Sequence, residues 1–209
     1  EFRRVLFRSF ICRTDKKISI EDVKFVLSSH YQNTVYDAYG SLGTAEEKKL
    51  LRPIGINRNQ ELHILQIRND VPAEIAGIHW LAFGPNTFNA VVPFYANVTD
   101  TPENYKNTTT ELNPNNIYWL TNIMALIGDS NFDLYEDEEN IFEQNTVAAC
   151  RHLQIEADQA YKSHADIQAY LGDINNQMAD LYQKNANAVL GQMLAFGEPK
   201  MNLKFQLHD

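Results

Sequence analysis

Six histidines and two cysteines are the side chains here best suited to nucleophilic, acid–base or metal chemistry: His30, His63, His79, His152, His164, His208, Cys12 and Cys150. Their spacing decides what they can do. No two histidines stand in an H-x-x-x-H or H-E-x-x-H arrangement, which would put two imidazoles on one helical face around zinc. The cysteines lie too far apart for a C-x-x-C redox or metal motif. Cys150 has basic neighbours, Arg151 and His152, of the kind that lower a thiol pKa. It also follows two alanines in a helical pattern, where a small buried residue is expected, so its role reads as structural. Asp129, Asn131 and Asp133 match the opening of a calcium loop, but Leu134 stands where glycine is needed and Asn140 where glutamate is needed. Asp133 is therefore expected to cap a helix whose first turns carry Glu136, Asp137, Glu138 and Glu139, complementing the positive end of the helix dipole. Phosphate loop, nucleophile elbow, dinucleotide fingerprint and carboxylate dyad are all unrecognisable. Neither metal nor cofactor is expected.

His63 and His79 both fall on candidate strands and can meet across a sheet, although a hydrogen-bonded core histidine is the simpler reading of each. The elements that would hold them are clear. In the segment 62–68, His63, Leu65 and Ile67 alternate with Ile64, Gln66 and Arg68. In 77–83, Ile78, Trp80 and Ala82 alternate with His79, Leu81 and Phe83; both sets are mainly apolar, as in a strand covered on two sides. The segment 88–95 repeats this, with Pro93 suggesting an edge or a bulge, and Gly84-Pro85-Asn86 reads as the hairpin turn between them.

Helices are predicted on either side of this group, at about 19–31, 114–128, 134–161 and 174–196, with a short one near 45–51. Ser19 and Asp22 have capping-box spacing before the apolar positions Ile20, Val23, Val26 and Leu27. Asn113-Pro114 reads as a cap with proline in the first turn, and Gly128 as a stop. The stripe Ile117, Leu120, Met124 and Ile127 marks the helix between them. Met201–Leu207 alternates as a final strand would. Strands beside apolar helices make this a layered α+β domain.

A net charge of −9 excludes general attraction to nucleic acid or anionic lipid. No apolar run reaches the ~18–20 residues of a membrane span. A soluble protein of a reducing, cytoplasmic compartment is expected. The N-x-[ST] triplets at Asn97 and Asn107 lie in an Asn/Thr-rich stretch that produces such matches by chance. The first nine residues, EFRRVLFRS, carry three arginines without cap or turn logic and read as a foreign or artefactual leader on residues 10–209.

Several stretches succeed one another in an order that resembles the bacterial dipeptidase A family, cysteine dipeptidases of the N-terminal-nucleophile hydrolase class. They are residues 17–24 (KISIEDVK), 29–37 (SHYQNTVYD), 52–55 (RPIG), 63–68 (HILQIR), 78–86 (IHWLAFGPN), 92–95 (VPFY), 118–120 (YWL), and 142–145 (FEQN) leading to Cys150-Arg-His152. The resemblance implies an αββα sandwich, two stacked sheets between helix layers. It implies a cysteine at the start of the mature chain as nucleophile, its own α-amine as base, and dipeptides as substrates. That cysteine should lie upstream. Cys12 precedes a motif that the family places mid-chain, so it is not read as the nucleophile, and no catalytic residue is carried over. The chain is read as the C-terminal portion of a dipeptidase domain, inactive by itself. Its partners would be the N-terminal half of the same protein and dipeptides, with homo-oligomerisation left open. Asn86 and His79 are the candidates for lining a substrate pocket. The alternatives are a non-catalytic interaction module that keeps the fold, or an amidase of the same class acting on other amides.

Overall fold

A computed structural model describes residues 14–201. Helices α1 (Ile20–Leu27) and α2 (Glu47–Leu50) come first. Then follow β1 (Glu61–Ile67), the single turn α3 (Ala73–Ala76), β2 (Gly77–Phe83) and β3 (Val92–Tyr95). Three longer helices complete the set: α4 (Ile117–Ser130), α5 (Phe132–Ala160) and α6 (Ile167–Gly197). The expected leader at 1–9, Cys12, and the expected C-terminal strand beyond Met201 lie outside the described residues.

The sheet is antiparallel throughout, in the order β1-β2-β3. One face carries Leu62, Ile64, Ile78, Trp80, Ala82 and Tyr95, and the helices cover it. The Arg151 guanidinium of α5 lies 4.8 Å over the Trp80 ring, and the Tyr95 hydroxyl donates to the Gln154 carbonyl at 3.0 Å. The other face is divided. Beside β3, Phe94 and Phe83 pack against Tyr105, with ring centroids 4.9 and 5.5 Å apart. Beside β1, Leu65 and Ile67 remain 73% and 78% exposed. The architecture is α+β, helices flanking a small antiparallel sheet, consistent with part of an αββα sandwich.

Local chemistry shifts several boundaries. Ser19 and Asp22 do form the capping box, each side chain bonding the other's backbone N–H at 3.0 and 2.9 Å. α1 nevertheless ends at Leu27 rather than near residue 31, because the backbone at Ser28–Ser29 turns to meet Gly55. The Gly55 N–H donates to the Ser29 carbonyl at 2.9 Å, and a Cβ on Gly55 would stand 2.4 Å from the Ser28 carbonyl carbon. Asn113 organises a turn instead of capping α4; Asn116 is the cap, accepting from the Tyr118 N–H at 3.1 Å. Gly128 is no stop. It sits inside α4 where a Cβ would lie 2.7 Å from Phe88 Cδ1 and 2.8 Å from Glu139 Oε1.

Asn131, not Asp133, takes the cap position of α5, and Asp133 lies in its first turn. α6 starts at Ile167 rather than 174, capped by Asp166, whose carboxylate accepts from the Ala169 N–H at 3.0 Å. β3 is shorter than the predicted 88–95 because Asn86–Phe88 form a 3-10 turn. Asn89 then spends its side chain on the Phe83 carbonyl, the Ala90 N–H and the Tyr182 hydroxyl. Gly84 (φ +80°) makes the exit from β2 possible, a backbone angle that favours glycine. Pro93 does lie on the edge strand, as expected.

Candidate functional site

Two polar clusters stand out, one in a cleft and one on the open sheet face. The cleft encloses about 690 Å³ between α1, the loop that follows it and the first half of α5. Its floor is ionic. Lys24 is only 3% exposed and donates to the Asn86 carbonyl at 2.8 Å and to Glu143 Oε2 at 3.0 Å. Burial lowers the Lys24 pKa, opposed by the charges of Glu143 and Glu139. Glu139 is buried deeper than Glu143, and its Oε1 has no hydrogen-bond partner among the described residues. Burial pushes its carboxyl up to about 9 against the pull of Lys24, so it stays protonated at neutral pH.

On the rim, the ring of His30 meets Asp37, Nδ1 to Oδ1, at 2.7 Å, wedged edge-on against Tyr39 and Phe132. Burial works against the charge on Asp37, but bonds from His30 and the Tyr39 N–H outweigh it and hold the carboxyl below its usual value. Such a cleft can hold a small polar ligand beside a cation, a protonated acid and the His30 ring. Among the described residues no thiol lines it and no hydroxyl is hydrogen-bonded to His30.

The second cluster is Glu61, His63 and His79. Their ligand atoms all lie within 4.8 Å of one another. The two imidazoles do meet across the sheet, with centroids 5.7 Å apart.

Asn86 and His79, the residues read from the sequence as pocket candidates, are not brought together. Asn86 is a strut. Its carbonyl accepts from Lys24 and Ser28, its Nδ2 donates to the Leu27 carbonyl at 3.2 Å, and its Oδ1 is buried without a partner among the described residues. It thereby ties the turn after β2 to the end of α1. His79 instead faces His63. Cys150 is fully buried, and burial pushes its thiol up to about 12, as suits a packing residue.

Sequence reading missed Lys24, Glu139, Glu143 and the His30–Asp37 pair. A signal existed for two of them. Lys24 falls on the stripe Ile20, Lys24, Leu27, and Glu139 on the stripe Tyr135, Glu139, Phe142, so each charge occupies a core position of its helix. No helix among the described residues is long and apolar enough to cross a membrane.

Residues 6–145 match the model of peptidase family C69. Dipeptidase A of Lactobacillus helveticus is 54% identical over 202 residues, which is 96% of this chain and 42% of that protein. Probable dipeptidase B of Lactococcus lactis subsp. lactis is 50% identical over 96% of this chain and 42% of its own length. Probable dipeptidase A of Streptococcus pyogenes is 39% identical over 93% of this chain and 41% of its own length. The chain thus spans about two fifths of the length of these relatives, and the match carries across both polar clusters and the sheet. The chain belongs to peptidase family C69.

Proposed function

We propose that this chain is the C-terminal portion of a cytoplasmic cysteine dipeptidase whose nucleophile is carried on another segment of the same protein. The observation that carries this reading is the joint one of identity and extent. Over nearly its whole length the chain is half identical to proteins named dipeptidases, yet it covers about two fifths of each. The cysteine that falls among the described residues adds support. A thiol at 0% exposure, with its pKa raised, is neither accessible to a peptide carbonyl nor ionised at neutral pH. In this reading a cysteine elsewhere in the protein attacks the dipeptide carbonyl while its α-amine takes the thiol proton; that proton passes to the leaving amine as the C–N bond breaks, and water then hydrolyses the thioester, freeing the second amino acid and restoring the thiol. The present chain contributes one sheet and its helical cover.

The test uses the protein extended to the length of its relatives and a panel of dipeptides. Hydrolysis should be abolished by a thiol alkylator and unaffected by a chelator. Loss to the chelator with survival of alkylation rejects the mechanism.

A further inference from the structure

The open face of the sheet carries an arrangement to which the proposed thiol hydrolysis assigns no role. Glu61 and His63 stand two residues apart on β1, so their side chains leave the same face. His79 on β2 is paired with Leu65, which makes it the diagonal neighbour of His63. The register thus sets His63 between the other two, and the ligand atoms of the carboxylate and the two imidazoles lie within 4.8 Å of one another. We propose that Glu61, His63 and His79 form a binding site for one divalent transition-metal ion of the zinc class.

The state of His79 is the strongest support. Its Nε2 is buried and has no hydrogen-bond partner among the described residues. A packed core histidine normally has both ring nitrogens satisfied, because a buried nitrogen left unpaired forfeits its hydration. A cation bound by that nitrogen would remove the deficit.

His63 and Glu61 complete the set on β1. Nδ1 of His63 lies 3.0 Å from Glu61 Oε1, on the sheet face that the helices leave uncovered. Two imidazoles and one carboxylate are a zinc ligand set that leaves a fourth position open. Imidazole donors favour zinc, copper or nickel over magnesium or calcium, which prefer oxygen alone. All three residues sit on paired strands and not on a loop, so the ladder fixes their separation.

The probes are Zn²⁺ by isothermal titration and Co²⁺ by visible absorption, on the whole 209-residue chain. One equivalent of Zn²⁺ should bind, and Co²⁺ should develop ligand-field bands. His63→Gln, His79→Gln and Glu61→Gln should each weaken Zn²⁺ binding by about tenfold or more, the loss that outer-shell changes alone already cause. The cobalt bands should collapse in both histidine variants. His152→Gln is the control, because His152 and Glu156 form an exposed pair at 3.2 Å on α5 that is the obvious competing surface site. It should leave binding unchanged. Circular dichroism checks that each variant folds; if His79→Gln does not, the exposed His63 and Glu61 variants decide. The proposal is overturned if no equivalent binds, if binding survives the His63 and Glu61 changes, or if it is lost with His152 instead.

Discussion

Asn175 of α6 satisfies both backbone groups of Tyr95 at the free edge of the sheet. Its Oδ1 accepts from the Tyr95 N–H at 2.8 Å, and its Nδ2 donates to the Tyr95 carbonyl at 3.0 Å. One side-chain amide thus replaces the next strand. Pro93, two residues earlier, points its missing N–H to the same side and loses no ladder bond.

Asn175→Ala should strip both partners from a buried backbone pair. Each unsatisfied buried group costs about 1–3 kcal/mol, so a loss of roughly 3 kcal/mol is expected in denaturant unfolding. A change below about 0.5 kcal/mol, the size of an ordinary surface substitution, would show that the amide does not hold this edge.

Gly128→Ala should destabilise by about 1–3 kcal/mol, the usual cost of overpacking. Its new methyl would meet Phe88 at 2.7 Å and Glu139 at 2.8 Å, and neither has room to retreat because both are buried. Thermal unfolding would check this, with Gly172→Ala on α6 as the control. No atom lies within 4 Å of a Cβ there, so that change should stabilise by several tenths of a kcal/mol through helix propensity alone.

Glu139 should make stability depend on pH. Its carboxyl is raised from 4.5 to about 9 by burial, so between those values the folded chain keeps a proton that the unfolded chain has released. Its contribution is full below about 4.5 and is lost as pH rises toward about 9. Glu139→Gln removes this term. Relative to the parent, the variant should gain stability as pH rises from 5 to 8, by at most about 1.4 kcal/mol per pH unit. A constant difference across that range would mean that the carboxyl is ionised in the fold.

Cys150 should resist alkylation while the protein is folded. A fully buried thiol with its pKa pushed up to about 12 presents almost no thiolate at neutral pH. Peptide mapping after iodoacetamide treatment should find Cys150 unmodified until denaturant is added. Rapid native modification would contradict the packing of α5.

Much of this fold is legible in the residues. The capping box of Ser19 and Asp22, the stripe Ile117, Leu120, Met124, and the alternation through 62–83 each state a local rule that packing then obeys. Boundaries failed where two local rules competed. Asn113-Pro114 and Asn116 both suit a helix start, and only the turn closed by Asn116 N–H on the Asn113 carbonyl decides between them. Gly128 looks like a stop because sequence cannot reveal that Phe88 and Glu139 press on it.

The polar clusters were harder. A lysine and a glutamate at core positions of two helices are visible, but their meeting requires α1 and α5 to pack, which no local pattern states. His63 and His79 were within reach, since two strands in succession suffice to bring them together. The third member, Glu61, depends on where β1 begins.

The measurement that bears most directly on the central claim is dipeptide turnover by this chain alone and after addition of the separately produced remainder of a protein of the relatives' length. The chain alone should show no hydrolysis. Mixing should restore it, and a cysteine-to-alanine change at the start of the added segment should abolish it again. Turnover by the chain alone would contradict the account, because the nucleophile would then lie within these 209 residues.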